Sequence, residues 1–185
     1  YMLKSKGSVP ITYVGYTKDT LYVGVICFDS DPDSLIVSDS GRDSSLSGVD
    51  SFTVIFDSFL DRQNGLMFGT TPTSIEYDGQ IMKEGSGRFG SGGGAVNMNW
   101  DVAWTVKSQI GDYGWSAEFA IPFRSLRYGP GELQDWGLNF QRNIARNDET
   151  SFWVPLERQY NLYRVSEAGT LKGLRPPNQK SLKLT

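Results

Sequence analysis

The sequence predicts an all-β domain, an antiparallel β-sandwich of jelly-roll or immunoglobulin-like type with little helix. Short segments of alternating apolar and polar residues recur along the chain, with turn-forming residues between them at regular spacing. No long segment has the 3.6-residue apolar repeat of a helix. Aromatic residues make up 13% of the chain, and their flat side chains pack well on a pleated sheet.

The predicted strands differ in how they are buried. Residues 21–28 are apolar at successive positions, which predicts a central strand covered on both faces. Residues 51–56 alternate between polar and apolar, which predicts a strand with one exposed face. The same alternation predicts strands over residues 102–107, 115–119 and 136–141. Pro122 lacks a backbone donor and is expected to end a strand, and residues 123–126 are expected to form one short helical turn.

Composition excludes several classes of protein. The chain of 185 residues has a net charge of −3 and no basic cluster, so nucleic-acid binding is not expected. No stretch approaches the ~20 apolar residues of a membrane helix. The absence of histidine excludes Ser-His-Asp and Cys-His catalysis, the usual zinc sites and His-ligated haem. Cys27, the one cysteine, can form no internal disulfide and is expected to be a small buried hydrophobe.

Two segments are predicted to lie outside regular structure. Residues 85–94 are rich in glycine but lack the Lys-Ser/Thr ending of a phosphate-binding loop, so they predict a flexible connection. Pro176 and Pro177 mark the end of the chain as extended. The predicted organisation is therefore one domain over residues 1–174 and a linker over residues 175–185 that leads toward a missing C-terminal region.

An ordered set of motifs resembles a known family. The motifs are Leu21-Tyr-Val-Gly, Cys27-Phe-Asp-Ser-Asp-Pro-Asp33, Asp50-Ser-Phe-Thr-Val-Ile-Phe-Asp57, Trp100-Asp-Val-Ala-Trp104, Trp115-Ser-Ala-Glu-Phe-Ala-Ile-Pro-Phe-Arg-Ser-Leu126, Trp136-Gly-Leu-Asn-Phe-Gln-Arg-Asn-Ile-Ala-Arg146 and Ala168-Gly-Thr-Leu171. Together they resemble the family 9 carbohydrate-binding modules and related DOMON-like sandwiches. The most similar branch is found at the N-terminus of bacterial outer-membrane β-barrel proteins.

The resemblance implies a non-catalytic β-sandwich that binds a glycan such as xylan or glucan. It also implies a Gram-negative cell envelope, with the domain in the periplasm or at the outer membrane. The linker would then lead to a carboxy-terminal β-barrel of the same chain, with which the domain could associate.

The sugar-binding residues of the family are not all present. The family grips a sugar between two Trp, one before the strand that matches residues 50–57 and one just before the Gly-x-Leu of the last strand. Here the first region is Ser45-Leu-Ser-Gly-Val49, and Ala168 occupies the second position. Thr53 replaces an acidic residue of the sugar binders.

Other residues must therefore supply a sugar site, which needs aromatic platforms and groups that hydrogen-bond in pairs. The candidate platforms are Trp153, Tyr160 and Tyr163, which lie in a polar stretch near the last strand. Asn139, Gln141 and Asn143 alternate along one strand and are expected to line a polar face beside Arg142 or Arg146.

Two acidic segments predict a metal. Asp29, Asp31 and Asp33 alternate on a predicted loop, and Ca²⁺ prefers carboxylate oxygens of this kind. Family 9 modules often hold structural calcium, so the resemblance implies Ca²⁺ here. Asp before Pro also forms turns, so a metal-free loop is the alternative. Asp57 and Asp61 form a second and weaker candidate pair.

Three other functions stay open. A glycosidase needs two carboxylates across a cleft, and Glu76, Asp78 and Glu118 are the available acids. Some DOMON-like relatives bind haem b through Met and Lys, for which the chain offers Met67, Met82, Met98, Lys83 and Lys107. A structural or partner-binding module is the third alternative, and it predicts a large exposed apolar patch.

Overall fold

The structure, a computed structural model, describes residues 10–37, 41–85 and 96–178. Within these ranges, eleven strands run in chain order as β1 (Ile11–Tyr16), β2 (Thr20–Phe28), β3 (Ser51–Asp57), β4 (Gly65–Thr70), β5 (Tyr77–Ile81), β6 (Val96–Asn97), β7 (Thr105–Gly111), β8 (Gly114–Pro122), β9 (Gln134–Ile144), β10 (Glu149–Phe152) and β11 (Gly169–Leu174). The helices described are 3₁₀ turns of three residues, at Pro32–Ser34, Lys83–Gly85, Phe123–Ser125, Ala145–Asn147 and Val165–Glu167. Within the described ranges, none of them has the length that crossing a membrane would require. The all-β prediction is confirmed, as is the short helical turn after Pro122.

The strands form two antiparallel sheets. The four-stranded sheet has the order β1-β2-β8-β7. The seven-stranded sheet has the order β10-β9-β3-β4-β5-β6, and β11 is its seventh strand, paired with β9 outside this path. β9 is the longest strand and pairs with β3 along one edge. Its other edge pairs with β11 near its beginning and with β10 near its end. The chain is therefore a β-sandwich, and β9 of its larger sheet pairs with three other strands.

The core lies between the two sheets. Alternate residues of facing strands point inward, as Val23 of β2 and Phe119 of β8 do in one sheet and Val54 of β3 and Phe140 of β9 do in the other. Each such side chain contributes roughly 1.5–3 kcal/mol when it is fully buried. Aromatic pairs join the sheets, and the rings of Phe52 on β3 and Phe119 on β8 meet edge to face with centroids 6.2 Å apart.

The predicted burial of β2 and β3 was wrong, because the outer face of one sheet is exposed and that of the other is largely covered. β2 is buried only at alternate positions, because its outer face belongs to the four-stranded sheet, where Tyr13 is 63% exposed. β3 is buried at every position. Its outward Ile55 packs with Met67 of β4 against the connection between β10 and β11. That connection contributes Leu162, Val165 and Ala168, so it covers much of the outer face of the seven-stranded sheet.

The two segments predicted to be irregular are described only in part. Residues 86–94 of the glycine-rich segment lie outside the described residues. At the start of the predicted linker, Pro177 accepts a hydrogen bond of 2.7 Å from the Tyr128 hydroxyl, so residues up to 178 remain against the domain. Residues 179–185 also lie outside the described residues.

Candidate functional site

A cleft of about 430 Å³ lies on the outer face of the seven-stranded sheet. Its floor follows the strand register: Gln141 of β9 pairs with Thr53 of β3, Thr53 pairs with Gly69 of β4, and Gly69 pairs with Tyr77 of β5. Paired residues share a face, so these four positions form one row across four strands. The walls are residues 45–49, the segment from Ile144 to Thr150, and residues 161–163.

The first wall, residues 45–49, rests on a glycine. Leu46 Cδ1 lies 2.6 Å from where a Cβ of Gly69 would stand, so a side chain at this position would displace it. The wall ends at Asp50, which is fully buried. Its backbone N–H donates to Ile36 O at 2.8 Å, and its Oδ2 accepts from the Ile36 N–H at 2.8 Å. Burial raises the pKa of this carboxyl group.

The other end of this wall is held by Arg42. Its guanidinium donates to Glu76 Oε2 at 2.8 Å, to Asp78 Oδ1 at 2.7 Å and to Asp101 Oδ1 at 2.6 Å. Burial raises the pKa of both Glu76 and Asp78, although the Arg42 charge acts in the opposite direction. Arg42 thus ties the segment before the cleft wall to β5 and to the chain that precedes β7.

The second wall is held by an ion pair between the partly exposed Arg146 and the buried Asp29. Within the 3₁₀ turn Ala145–Asn147, Arg146 donates to both oxygens of Asp29, at 2.8 and 2.5 Å. Burial acts to raise the pKa of Asp29, but the hydrogen bonds from Arg146 and from the Asp31 N–H outweigh it and lower that pKa. Asp148, which follows the turn, has φ 49°, a left-handed conformation that Asp tolerates.

The polar floor is ordered by hydrogen bonds. Gln141 Nε2 donates to Asn143 Oδ1 at 2.9 Å, and Asn143 Nδ2 donates to Ser51 Oγ at 3.0 Å. Thr150 Oγ1 donates to Asn143 Oδ1 at 3.1 Å. The amides are therefore held in place before any ligand arrives, which reduces the conformational entropy lost on binding.

Two tyrosine rings complete the cleft. Tyr77 and Tyr163 are each partly buried in its lining. Burial and the neighbouring Tyr163 raise the pKa of Tyr77 to about 12, and burial raises that of Tyr163. Both hydroxyls therefore stay protonated at neutral pH and can donate a hydrogen bond.

The structure brings three of the sequence-predicted polar and aromatic residues into this cleft. They are Gln141, Asn143 and Tyr163. Asn139 shares their face but is buried, because its side chain bonds the N–H and C=O of Val154 at 2.9 and 3.2 Å. Period-two alternation therefore predicted that Asn139, Gln141 and Asn143 share one face of β9. The connection after β10 determines which of these side chains stay accessible.

The other predicted binding residues lie elsewhere. Arg142 is 1% exposed and points to the inner face, where Nη2 donates to Phe28 O at 2.7 Å, so it does not stand beside Gln141. Trp153 is 54% exposed, but its ring lies over Gly169 and tilts against Phe140, outside the cleft lining. Tyr160 lies under the Arg164 guanidinium at 4.7 Å and does not line the cleft.

The aspartates predicted to bind calcium have protein partners. Asp29 is held by Arg146, and Asp31 Oδ2 accepts from Ser34 Oγ at 2.5 Å. Asp33 lies in the exposed 3₁₀ turn Pro32–Ser34. Within residues 10–37, 41–85 and 96–178, no group of three or more acidic or Cys side chains is placed to hold a metal. Calcium stays a prediction of the sequence.

The second acidic pair organises a loop. Asp57 accepts from the N–H groups of Asp61 and Arg62 at 3.0 and 2.8 Å. Asp61 accepts from the N–H groups of Gln63 and Asn64, each at 2.8 Å. Both carboxylates are therefore used in closing the turn between β3 and β4.

The residues considered for catalysis and haem are dispersed. Glu76 and Asp78 both bind Arg42, whereas Glu118 is exposed on β8 of the other sheet. Met67 is buried in the cluster that it forms with Ile55 and Leu162 on the outer face of the seven-stranded sheet. Met98 packs against this cluster. Met82 is partly buried near the end of β5, and Lys83 is exposed at the turn that follows. Lys107 is exposed on β7 of the four-stranded sheet, so it lies on the opposite sheet from Met67.

Sequence reasoning missed several residues of the cleft. These are Tyr77 on β5, the polar residues Asp148, Glu149 and Thr150 after the turn, and Asn161. The turn signal at residues 145–148 was available, but only the strand register shows that Tyr77 lies in the same row as Gln141.

Comparison with known proteins supports the architecture. No family model matches the chain, and no curated protein matches it. A candidate carbohydrate-binding protein from Bacteroides uniformis superposes with a TM-score of 0.66 at 12% identity, covering 88% of this chain and 77% of that one. Two structures of a family 9 carbohydrate-binding module (CBM9) from Caldicellulosiruptor kristjanssonii also superpose, each at 14% identity. This chain has a CBM9-like fold.

The two CBM9 structures differ in their ligand. The complex with cellotriose has a TM-score of 0.56 and covers 95% of this chain and 78% of that one. The complex with glucose has a TM-score of 0.58, and the superposition covers 93% of this chain and 80% of that one. At this level of identity the likeness establishes the CBM9-like fold, and function has to be argued from the cleft.

Proposed function

We propose that this chain is a non-catalytic carbohydrate-binding domain that holds a glycan in the cleft on the outer face of its seven-stranded sheet. One observation carries the proposal. The cleft is lined by residues 45–49 and by Thr53, which occupy the positions where the resemblance places the first platform and an acidic residue of the sugar binders. A solved CBM9 module with the same fold holds cellotriose, and another holds glucose.

The lining has the chemistry that a pyranose requires. A sugar ring has apolar C–H faces and a rim of hydroxyl groups. Leu46 and the ring of Tyr163 offer apolar surface, while Gln141 and Asn143 offer amide donors and acceptors. Because the two Trp platforms are absent, hydrogen bonds supply a larger share of the affinity than ring stacking does.

The non-catalytic part of the proposal is supported by the acidic residues. A glycosidase needs two carboxylates on opposite sides of the bond that is cleaved. Glu76 and Asp78 instead converge on one guanidinium, and Glu118 lies on the other sheet. The alternative of an interaction module predicts a broad apolar surface, whereas this cleft combines polar amides with two aromatic rings.

The finer identity follows the resemblance. We infer a β-linked glucan or xylan as the ligand, and a periplasmic or outer-membrane setting in which residues 175–185 lead toward a β-barrel. Structural Ca²⁺ at residues 29–33 belongs to the same inference.

Calorimetry with cello-oligosaccharides and xylo-oligosaccharides tests the proposed function. We expect Gln141→Ala and Tyr163→Ala to weaken binding about tenfold or more, since each removes a lining group at the floor or wall. Tyr13→Ala is the matched control, because Tyr13 is exposed on the opposite sheet and should leave affinity unchanged. Trp153→Ala tests whether the glycan binds instead at the exposed Trp153 ring outside the cleft.

Two results would contradict the proposal. The first is the absence of heat with every glycan up to millimolar concentration. The second is binding that disappears in Trp153→Ala and persists in both cleft variants, which would move the site to the edge formed by β10 and β11.

A further inference from the structure

The charged residues of the cleft all have one sign. Asp148 and Glu149 are the charged members of its described lining, and neither lysine nor arginine lines it. The remaining polar groups are amides and hydroxyls. The described lining therefore includes two acidic residues and no cation.

Nearby guanidinium groups are directed away from these two carboxylates. Arg146 lies two residues before Asp148 and three before Glu149, but its guanidinium binds Asp29. Arg164, next to the third wall, pairs with Glu84 at 2.8 Å and covers the Tyr160 ring. Among residues 10–37, 41–85 and 96–178, no ion pair joins Asp148 or Glu149 to a basic side chain.

We propose that the cleft selects its glycan by charge, accepting uncharged and amine-bearing sugars and rejecting uronic acids. The inference rests on the proposed function and adds the class of sugar to it. A uronate placed about 4 Å from one of these carboxylates loses roughly fivefold in affinity in a water-like medium, and more where the ring excludes water. A protonated amino sugar gains by the same interaction.

The test uses three β-1,4-linked trisaccharides of different charge: cellotriose, the glucosamine trimer with an amine at C2, and the glucuronic acid trimer with a carboxylate at C6. Calorimetry at low salt is expected to rank the glucosamine trimer first and the glucuronic acid trimer last, at least about fivefold below cellotriose. Because salt screens exposed charges, the differences should shrink at high ionic strength.

A double variant, Asp148→Asn with Glu149→Gln, shows whether the cleft carboxylates cause the ranking. Asn tolerates the left-handed conformation at position 148, so the wall should keep its shape. The matched control is Asp112→Asn with Glu118→Gln, which changes net charge equally at exposed positions of the four-stranded sheet. The first variant should bring the three affinities together, and the control should leave the ranking intact.

The outcomes separate the two proposals. If none of the three sugars binds, the proposed function itself fails. If cellotriose binds but the glucuronic acid trimer binds equally well or better, the charge inference is wrong and the proposed function stands. A ranking that survives in the Asp148/Glu149 variant also overturns the charge inference.

Discussion

Replacing Asp78 by alanine should destabilise the domain by about 2–3 kcal/mol. Asp78 is 1% exposed on β5 and accepts hydrogen bonds from Trp104 Nε1 at 3.0 Å and from the Val102 N–H at 3.3 Å. Without it, the buried Trp104 N–H has no acceptor, which costs roughly 1–3 kcal/mol. The lost ion pair adds only about 0–1 kcal/mol, because Arg42 is partly exposed and keeps Glu76 and Asp101.

Thermal and urea unfolding followed by circular dichroism measure this loss. For a domain of this size, the expected decrease in Tm is about 4–12 °C. Asp78→Asn keeps an oxygen for the Trp104 N–H and should cost less than alanine. Asp101→Ala is the control, because Asp101 binds the same guanidinium but its side chain is 71% exposed, and it should change stability by less than about 0.5 kcal/mol. Equal losses in Asp78→Ala and Asp101→Ala would refute the reasoning, since burial would then not set the magnitude.

Two further predictions address the walls of the cleft. Gly69→Ala should weaken glycan binding several-fold in calorimetry, because the added Cβ displaces Leu46 Cδ1. Gly15→Ala is the control and should leave the affinity unchanged, since a Cβ there meets nothing within 4 Å. Equal affinities in the two variants would contradict the prediction. Asp29→Asn should destabilise the domain at neutral pH, because it removes the charge that binds Arg146. Since folding lowers the pKa of Asp29, the stability it contributes is present above the ordinary value of 3.8 and is lost as pH falls through the lowered pKa. Urea unfolding across pH should therefore show the difference between wild type and Asp29→Asn shrinking in acid, and a growing difference would contradict the prediction.

The strand pattern could be predicted from sequence because it depends on neighbouring residues. Alternation located β3, β8 and β9, and it put Gln141 and Asn143 on one face. It could not predict which outer face would be covered. That depends on the connection between β10 and β11, whose Leu162 and Val165 lie about a hundred residues beyond β3 and pack against it only in the folded chain.

The site was predicted less completely for the same reason. Tyr77 and Gln141 are 64 positions apart in the sequence and come to lie in one row only through the register of four strands. Arg142 shows the opposite problem. Its polarity suggested an exposed residue, but its place in the alternation with Leu138 and Phe140 put it inside, where Phe28 O accepts from it.

Charged residues inside the sandwich fix the walls of the proposed glycan site, which lacks the two tryptophans that the resemblance implies. Residues 45–49 are followed by buried Asp50, whose carboxylate accepts a hydrogen bond from the Ile36 N–H. The wall after β9 contains Arg146, which binds the buried Asp29 carboxylate. Both walls are thus fixed beneath the sheet, while Gln141 and Asn143 are held from the side. A site that relies on positioned hydrogen-bonding groups discriminates strongly against a ligand that lacks the matching hydroxyl, since its own polar groups are then left unpaired. Ring stacking tolerates such changes more readily, because every pyranose offers an apolar face. The exchange of tryptophan platforms for an ordered amide floor should therefore lower affinity while narrowing the range of sugars that the cleft accepts.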